Sequence, residues 1–157
     1  MDPELILRWL HVIGASVLLG TGAGIAFFML MAHLSGQARI IAHTAGVVVI
    51  ADHLFTAVAV VMQPVTGAML ALETGWDLSE PWILLSIGLY VLTGMFWLPV
   101  VFIQIRLRDL ARLAADQDRP LGRRYHRLFR IWFAFGFPAF AAVLAILWLM
   151  IARPDFG

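Results

Sequence analysis

A chain of 157 residues is long enough for one domain, and its net charge at pH 7 is only +1. Hydrophobic residues make up 62% of it and charged residues 13%, with a mean hydropathy of +0.89, which excludes an ordinary soluble protein. Cysteine is absent, so disulfides, thiolate metal sites and a cysteine nucleophile are excluded. Lysine is absent too, which excludes Schiff-base chemistry and a lysine base.

Four apolar segments follow one another along the chain, at residues 5–33, 40–72, 82–105 and 128–152. Each reaches the roughly 20 residues that a helix needs to cross about 30 Å of hydrocarbon. We therefore predict an all-α fold, in which residues 1–157 form a single integral membrane domain built as a bundle of four transmembrane helices. No basic segment precedes the first helix and no cleavage site follows it, so it is expected to be retained.

The arginines predict how this bundle is oriented. Eight of the eleven lie between Arg106 and Arg130, around the third connector, whereas the second connector carries Glu73, Asp77 and Glu80. By the positive-inside rule the third connector is cytoplasmic, helix 3 extends into the cytoplasm, and both termini lie on the outer side. We expect a multi-pass protein of the bacterial inner membrane whose segment from Arg106 to Arg130 contacts anionic lipid headgroups and not nucleic acid.

The second and third spans each carry polar side chains at helical spacing. The second has Asp52, Thr56, Ala59, Gln63 and Thr66 on one face, and the third has Ser86, Tyr90, Thr93, Trp97 and Gln104. A lipid-facing stripe would leave several donors and acceptors unpaired, so both stripes are expected to face the bundle interior.

Pro64 interrupts the stripe of the second span. Its ring invites a kink, and its missing N–H frees the carbonyl of Val60. Gln63 or Thr66 is expected to bind that carbonyl.

His11, Asp52 and Tyr90 are predicted to meet inside the bundle. Counted at about 1.5 Å per residue from the nearer boundary of the membrane, all three lie about 18 to 21 Å from its cytoplasmic side. Ionisable groups are costly there and usually mark a cofactor, a partner or a water-filled pocket. His53 follows Asp52 directly but points about 100° away around the helix. The predicted pair is therefore Asp52 with His11 across helices.

A small haem-b-binding or redox-linked membrane protein is the first function that these residues suggest. His11 and His53 are predicted at similar depth and can serve as axial ligands, with His11 as the first ligand of the haem iron and Tyr90 near the ring. Gly14 and Gly22 share the face of His11 and offer a groove for a flat ring.

Two other functions stay open. In a proton- or metal-ion-linked transporter or channel subunit, Asp52 would be the titrating group, and Thr56, Gln63 and Thr93 would belong to its relay or polar network. Four helices enclose a narrow path, so a homo-oligomer is expected in that case. In a structural scaffold without a substrate, the same side chains would only hold the bundle together. These residues do not decide whether the protein is an enzyme.

Four motifs stand out along the chain: IADHLFT at 50–56, QPVTG at 63–67, WLPVV at 97–101 and WFAFG at 132–136. They resemble the DUF2269 family of predicted bacterial integral membrane proteins over essentially the whole chain. This resemblance implies a four-helix membrane protein and brings no reaction. At position 53 the family pattern more often has tryptophan, where this chain has His53.

The stretch Leu10-His11-Val12, followed by small residues, more distantly resembles the first helix of the CopD-like and HemJ-like membrane proteins. HemJ-like proteins are b-haem-binding protoporphyrinogen oxidases in which a histidine of that helix is functional. The resemblance implies this role for His11 alone. The lysine used in that family has no counterpart here, because this chain has none.

Overall fold

The computed structural model describes residues 2–155, and within that range the chain is helical and has no strand. Its four long helices are α1 (Pro3–Leu34), α2 (Ala38–Glu73), α3 (Pro81–Asp116) and α4 (Arg123–Ala152). All four are long and apolar enough to cross a membrane. The predicted all-α fold with four candidate membrane spans is therefore confirmed.

Local signals in the sequence explain where these helices begin and end. The side chain of Asp2 caps α1 by accepting a hydrogen bond from the main-chain N–H of Glu4 at 3.1 Å. Pro81 opens α3, where its missing N–H costs nothing. Gly36 and Gly75 adopt positive φ angles of 66° and 74° in the turns after α1 and α2, a conformation that favours glycine.

Two helices are much longer than the thickness of the membrane. At 36 residues each, α2 and α3 are roughly 54 Å long, against about 30 Å of hydrocarbon. The continuation of helix 3 past its apolar part, to Asp116, agrees with the prediction of an extended helix. Helix α4 begins at Arg123, within the basic segment, directly after Gly122, whose extended backbone forms the N-cap.

The helices pack as a ring in which α1 contacts α2, the first half of α2 contacts α3, α3 contacts α4, and α4 contacts α1. The main core lies at the end of the bundle next to the α3–α4 connector, which we call the arginine-rich end. Its buried members include Met29, Ile41, Leu107, Tyr125, Phe129 and Trp132. The tightest packing is therefore at one end of the bundle.

A smaller cluster closes the opposite end, where Trp76 and Trp82 meet edge to face with ring centroids 5.5 Å apart. The guanidinium of Arg153 lies over both rings, 5.4 and 5.9 Å from their centroids. Between the two ends the packing is open. A Cβ built at Gly88, Gly94 or Gly136 would meet nothing within 4 Å, so no other helix packs closely on α3 or α4 at these positions.

Candidate functional site

A π-helical turn in the middle of α2 holds the buried acid of this protein. Residues Asp52–Thr56 form it, and the N–H of Ala57 bonds the carbonyl of Asp52, five residues earlier. Such wide turns occur often at functional sites. The Asp52 side chain lies inside the bundle and is only 4% exposed.

The carboxyl group of Asp52 has one regular hydrogen bond, from Nε1 of Trp97 to Oδ1 at 3.3 Å. The hydroxyl of Thr56 interacts with the carboxyl, but without the geometry of a regular hydrogen bond, and its oxygen is buried. Ion pairs join Arg8 to Glu4 and Arg108 to Asp109. Asp52 takes part in neither of them.

His53 lies on the outer surface of α2. Its side chain is exposed, and its Nδ1 bonds the carbonyl of Val49 at 2.7 Å. This direction agrees with the predicted angle of about 100° between His53 and Asp52. The hydrogen bonds of His53 and Asp52 go to other partners, Val49 and Trp97.

His11 belongs to α1 and packs against the second half of α2, where its side chain is half-buried. Its Nδ1 lies 2.9 Å from Oγ1 of Thr66, and the side chain of Gln63 donates to its main-chain carbonyl at 2.8 Å. The Thr66 hydroxyl gives its one hydrogen to the carbonyl of Met62 at 2.8 Å. With its hydrogen in that bond, the Thr66 oxygen accepts from Nδ1–H of His11 in the tautomer whose lone pair is on Nε2.

The predicted meeting of His11 with Asp52 differs from the structure. The partner of His11 is Thr66, which lies about 20 Å farther along α2 than Asp52 at 1.5 Å per residue. The prediction counted each helix as spanning only the membrane. Because α1 and α2 are much longer than that, the depth of His11 relative to Asp52 shifts by several turns.

Tyr90 also has another partner than predicted. Its hydroxyl donates to the carbonyl of Val60, which Pro64 leaves without its helical N–H. Sequence reasoning identified this free carbonyl correctly but assigned it to Gln63 or Thr66. Both of these side chains are engaged with α1 instead.

The two polar stripes face inward, as predicted. In α2, Asp52, Thr56, Ala59 and Thr66 are buried and Gln63 is half-buried; in α3, Ser86 and Gln104 are buried, and Tyr90, Thr93 and Trp97 are half-buried. Several hydroxyl groups of these stripes donate their hydrogen bond to a main-chain carbonyl of their own helix. That of Thr93, for example, donates to the carbonyl of Leu89 at 2.9 Å.

Sequence reasoning missed the role of Trp97 and the pair formed by Gln104 and Trp132. Nε1 of Trp132 donates to Oε1 of Gln104 at 3.1 Å, in the core of the arginine-rich end. Trp97 and Gln104 stood in the predicted stripe, but neither was recognised as a partner. The available signal was chemical, because an indole N–H is a donor that needs an acceptor when it is buried.

The residues described here do not form a multidentate metal site, since no group of three or more His, Cys, Asp or Glu side chains lies together in 2–155. A haem held by both His11 and His53 does not fit either. His53 faces outward, and it lies 13 residues from Thr66, or about 20 Å along α2 from the seat of His11. The one predicted axial ligand of a haem iron that this geometry leaves is Nε2 of His11.

A comparison with known protein families found a match. The sequence model of a family described as predicted integral membrane protein (DUF2269) matches residues 5–154. The chain belongs to this family. No curated protein and no solved structure matches it. The possible roles of Asp52, His11 and Gln104 must therefore be argued from the geometry of this protein.

The seat of His11 depends on a glycine, which gives a test of the α1–α2 contact. A Cβ at Gly67 would lie 3.0 Å from Cε1 of His11, whereas one at Gly88 would meet nothing within 4 Å. We expect Gly67→Leu to lower the free energy of unfolding in detergent by about 1–3 kcal/mol, as overpacking does. Gly88→Leu is the matched control and should change it little. Equal stability of the two variants would contradict this contact.

Proposed function

We propose that this protein is a proton-linked transporter or channel subunit in which Asp52 binds and releases the proton. The observation that supports it best is the setting of the carboxyl group. It is buried in the middle of a membrane span, at a π-helical turn, with one indole N–H as its regular hydrogen-bond donor and no ion pair. Ionisable groups so placed belong by default to ion or proton pathways. Since four helices enclose a narrow path, the proposal includes assembly of more than one copy.

The competing view is that Asp52 only holds the helices together. Side-chain hydrogen bonds between membrane helices average about 0.6 kcal/mol, whereas placing an aspartate at the centre of a span costs about 2.5–3.5 kcal/mol. One bond of 3.3 Å to Trp97 does not offset that cost. An asparagine would serve a scaffold at least as well, so an acid at this position favours a role for its proton.

Proton flux in proteoliposomes tests this proposal directly. We expect Asp52→Asn to abolish flux, measured with a pH-sensitive dye inside the vesicles, because the amide cannot exchange a proton in the same way. Asp116→Asn makes the same chemical change at an exposed residue near the end of α3 and should leave flux unchanged. Unchanged flux in Asp52→Asn would refute the proposal.

A second candidate function is binding of b haem through His11. It is supported by the contact between Nδ1 of His11 and Oγ1 of Thr66, since a ligating imidazole usually has its other nitrogen hydrogen-bonded and Nε2 would then be the ligand. The haem would supply one-electron redox chemistry, and the part of His11 would be to hold the iron and orient the ring. Tyr90 is bound to Val60 and has no assigned part in this site.

The haem proposal predicts a Soret band in protein purified after expression with ample haem. We expect His11→Ala to abolish the band. His53→Ala should retain it, because that imidazole faces away from the bundle. A wild-type protein without a Soret band, or a band that survives His11→Ala, would exclude His11 as the ligand.

We also propose that the arginine-rich end faces the cytoplasm of a bacterium and contacts anionic lipid there. The exposed Arg123 and Arg124 open α4 in this region. We expect anionic phosphatidylglycerol to raise the thermal stability of the wild type relative to pure phosphatidylcholine, and Arg123→Gln with Arg124→Gln to reduce that gain. Arg8→Gln, at the opposite end, should retain the full gain. The same gain in all three proteins would contradict this contact.

A further inference from the structure

We propose that Asp52 exchanges its proton with the arginine-rich end of the bundle along an internal water-bridged route, on which Gln104 is a positioning residue. This inference rests on the proposed role of Asp52 and adds the side from which the proton comes. It follows from a buried polar atom that the described contacts leave without a partner, and from the polar side chains on either side of it.

The unpartnered atom is Nε2 of Gln104. The side chain is 1% exposed, and its Oε1 accepts from Trp132 at 3.1 Å, but Nε2 has no hydrogen-bond partner in residues 2–155. A buried amide nitrogen left unpaired is costly, and such groups in native proteins usually bind an internal water. Gln104 therefore points to a water site inside the core.

Gln104 shares a face of α3 with Trp97, the donor to Asp52. The two residues are seven positions apart, or about 10 Å along the helix, which a short chain of two or three waters can bridge. The buried oxygen of Thr56 interacts with the Asp52 carboxyl without a regular hydrogen bond of its own, so it is available to the last water of this chain.

From Gln104 the route continues toward the surface along α4. Trp132 and Tyr125 lie on one face of this helix, again seven positions or about 10 Å apart. The ring of Phe129 lies between them, 5.7 and 6.2 Å from their rings, so the proposed waters pass beside it. The Tyr125 hydroxyl lies 3.2 Å from Nδ1 of His33, and the ring of His33 is 5.7 Å from that of His126, which is exposed. Tyr125 itself is 1% exposed, so this pair joins the buried core to the surface of the arginine-rich end.

Toward the opposite end of the bundle, fewer polar side chains near Asp52 have a hydrogen left to donate. The hydroxyls of Tyr90, Thr93 and Thr66 all donate to main-chain carbonyls. Each is therefore already engaged as a donor. The geometry for proton exchange thus favours the arginine-rich end.

The transfer needs no further reactant. A proton enters from a hydronium ion or from protonated His33, hops along the waters, and binds a carboxylate oxygen of Asp52, while the donor loses one proton. The reverse sequence returns it. Gln104 and Trp132 neither gain nor lose a proton, because the amide only orients the water that carries it.

Two substitutions at one position separate this role from a structural one. Gln104→Met keeps the length of the side chain but removes its polar atoms, whereas Gln104→Asn keeps the amide group on a side chain one carbon shorter. We expect Gln104→Met to slow proton flux in proteoliposomes by about tenfold, the effect of losing a hydrogen bond of ordinary strength, and Gln104→Asn, which keeps the amide donor, to retain more of it. Ser86→Ala is a control on the same helix, because the Ser86 hydroxyl already donates to the carbonyl of Trp82 at 2.7 Å, and it should leave the flux unchanged.

The outcomes distinguish this inference from the function on which it rests. If Asp52→Asn abolishes flux but Gln104→Met does not slow it, the route is wrong and the role of Asp52 stands. If Gln104→Asn is as slow as Gln104→Met or slower, the amide group does not act through a bound water and the route is again refuted. If Asp52→Asn leaves flux unchanged, the proposed function itself fails.

Discussion

A carboxyl group inside a membrane protein must find its partners within the bundle, and this constraint governs the middle of the structure. Lipid offers no hydrogen bonds, so every polar group of a span has to be satisfied by the protein or by enclosed water. The π-helical turn at Asp52–Thr56 places Asp52 in the interior, and Trp97 of the neighbouring helix supplies its donor. Asp52 is thereby linked to α3 at the point where the first half of α2 packs against that helix.

The same constraint explains the polar contacts on both sides of this point. Pro64 deprives one carbonyl of its helical partner, and the hydroxyl of Tyr90 replaces it. On the other side of α2, the hydrogen bonds of Gln63 and Thr66 fasten the helix to His11 of α1. These bonds leave few side chains with spare capacity. In residues 2–155 three buried polar atoms lack a hydrogen-bond partner, namely Oγ1 of Thr56, Nε1 of Trp82 and Nε2 of Gln104. Of these, Nε2 of Gln104 lies in the main core.

Composition and periodicity were enough to predict the architecture. Segments of more than 20 apolar residues leave no alternative to membrane helices, and the spacing of Asp52, Thr56 and Thr66 predicts the face that turns inward. The outward direction of His53 follows from the same helical count. These features depend on single helices, for which local sequence is sufficient.

The partners across helices could not be predicted in this way. The distance of His11 from Asp52 depends on how far each helix extends beyond the membrane and on how neighbouring helices are shifted along their axes. A shift of two turns brings Trp97, and not Tyr90, to Asp52. The π-helical turn is also set by packing, since no residue of the sequence demands it. Architecture was thus more predictable than the site.

The most direct test of a proton-carrying Asp52 is infrared spectroscopy of the full chain in lipid, recorded across a pH titration. The proposal predicts a carbonyl band of a protonated carboxylic acid that appears and disappears reversibly with pH, shifts in heavy water, and is missing in Asp52→Asn. A wild-type spectrum with no such band at any pH, or with a band that does not respond to pH, would contradict it.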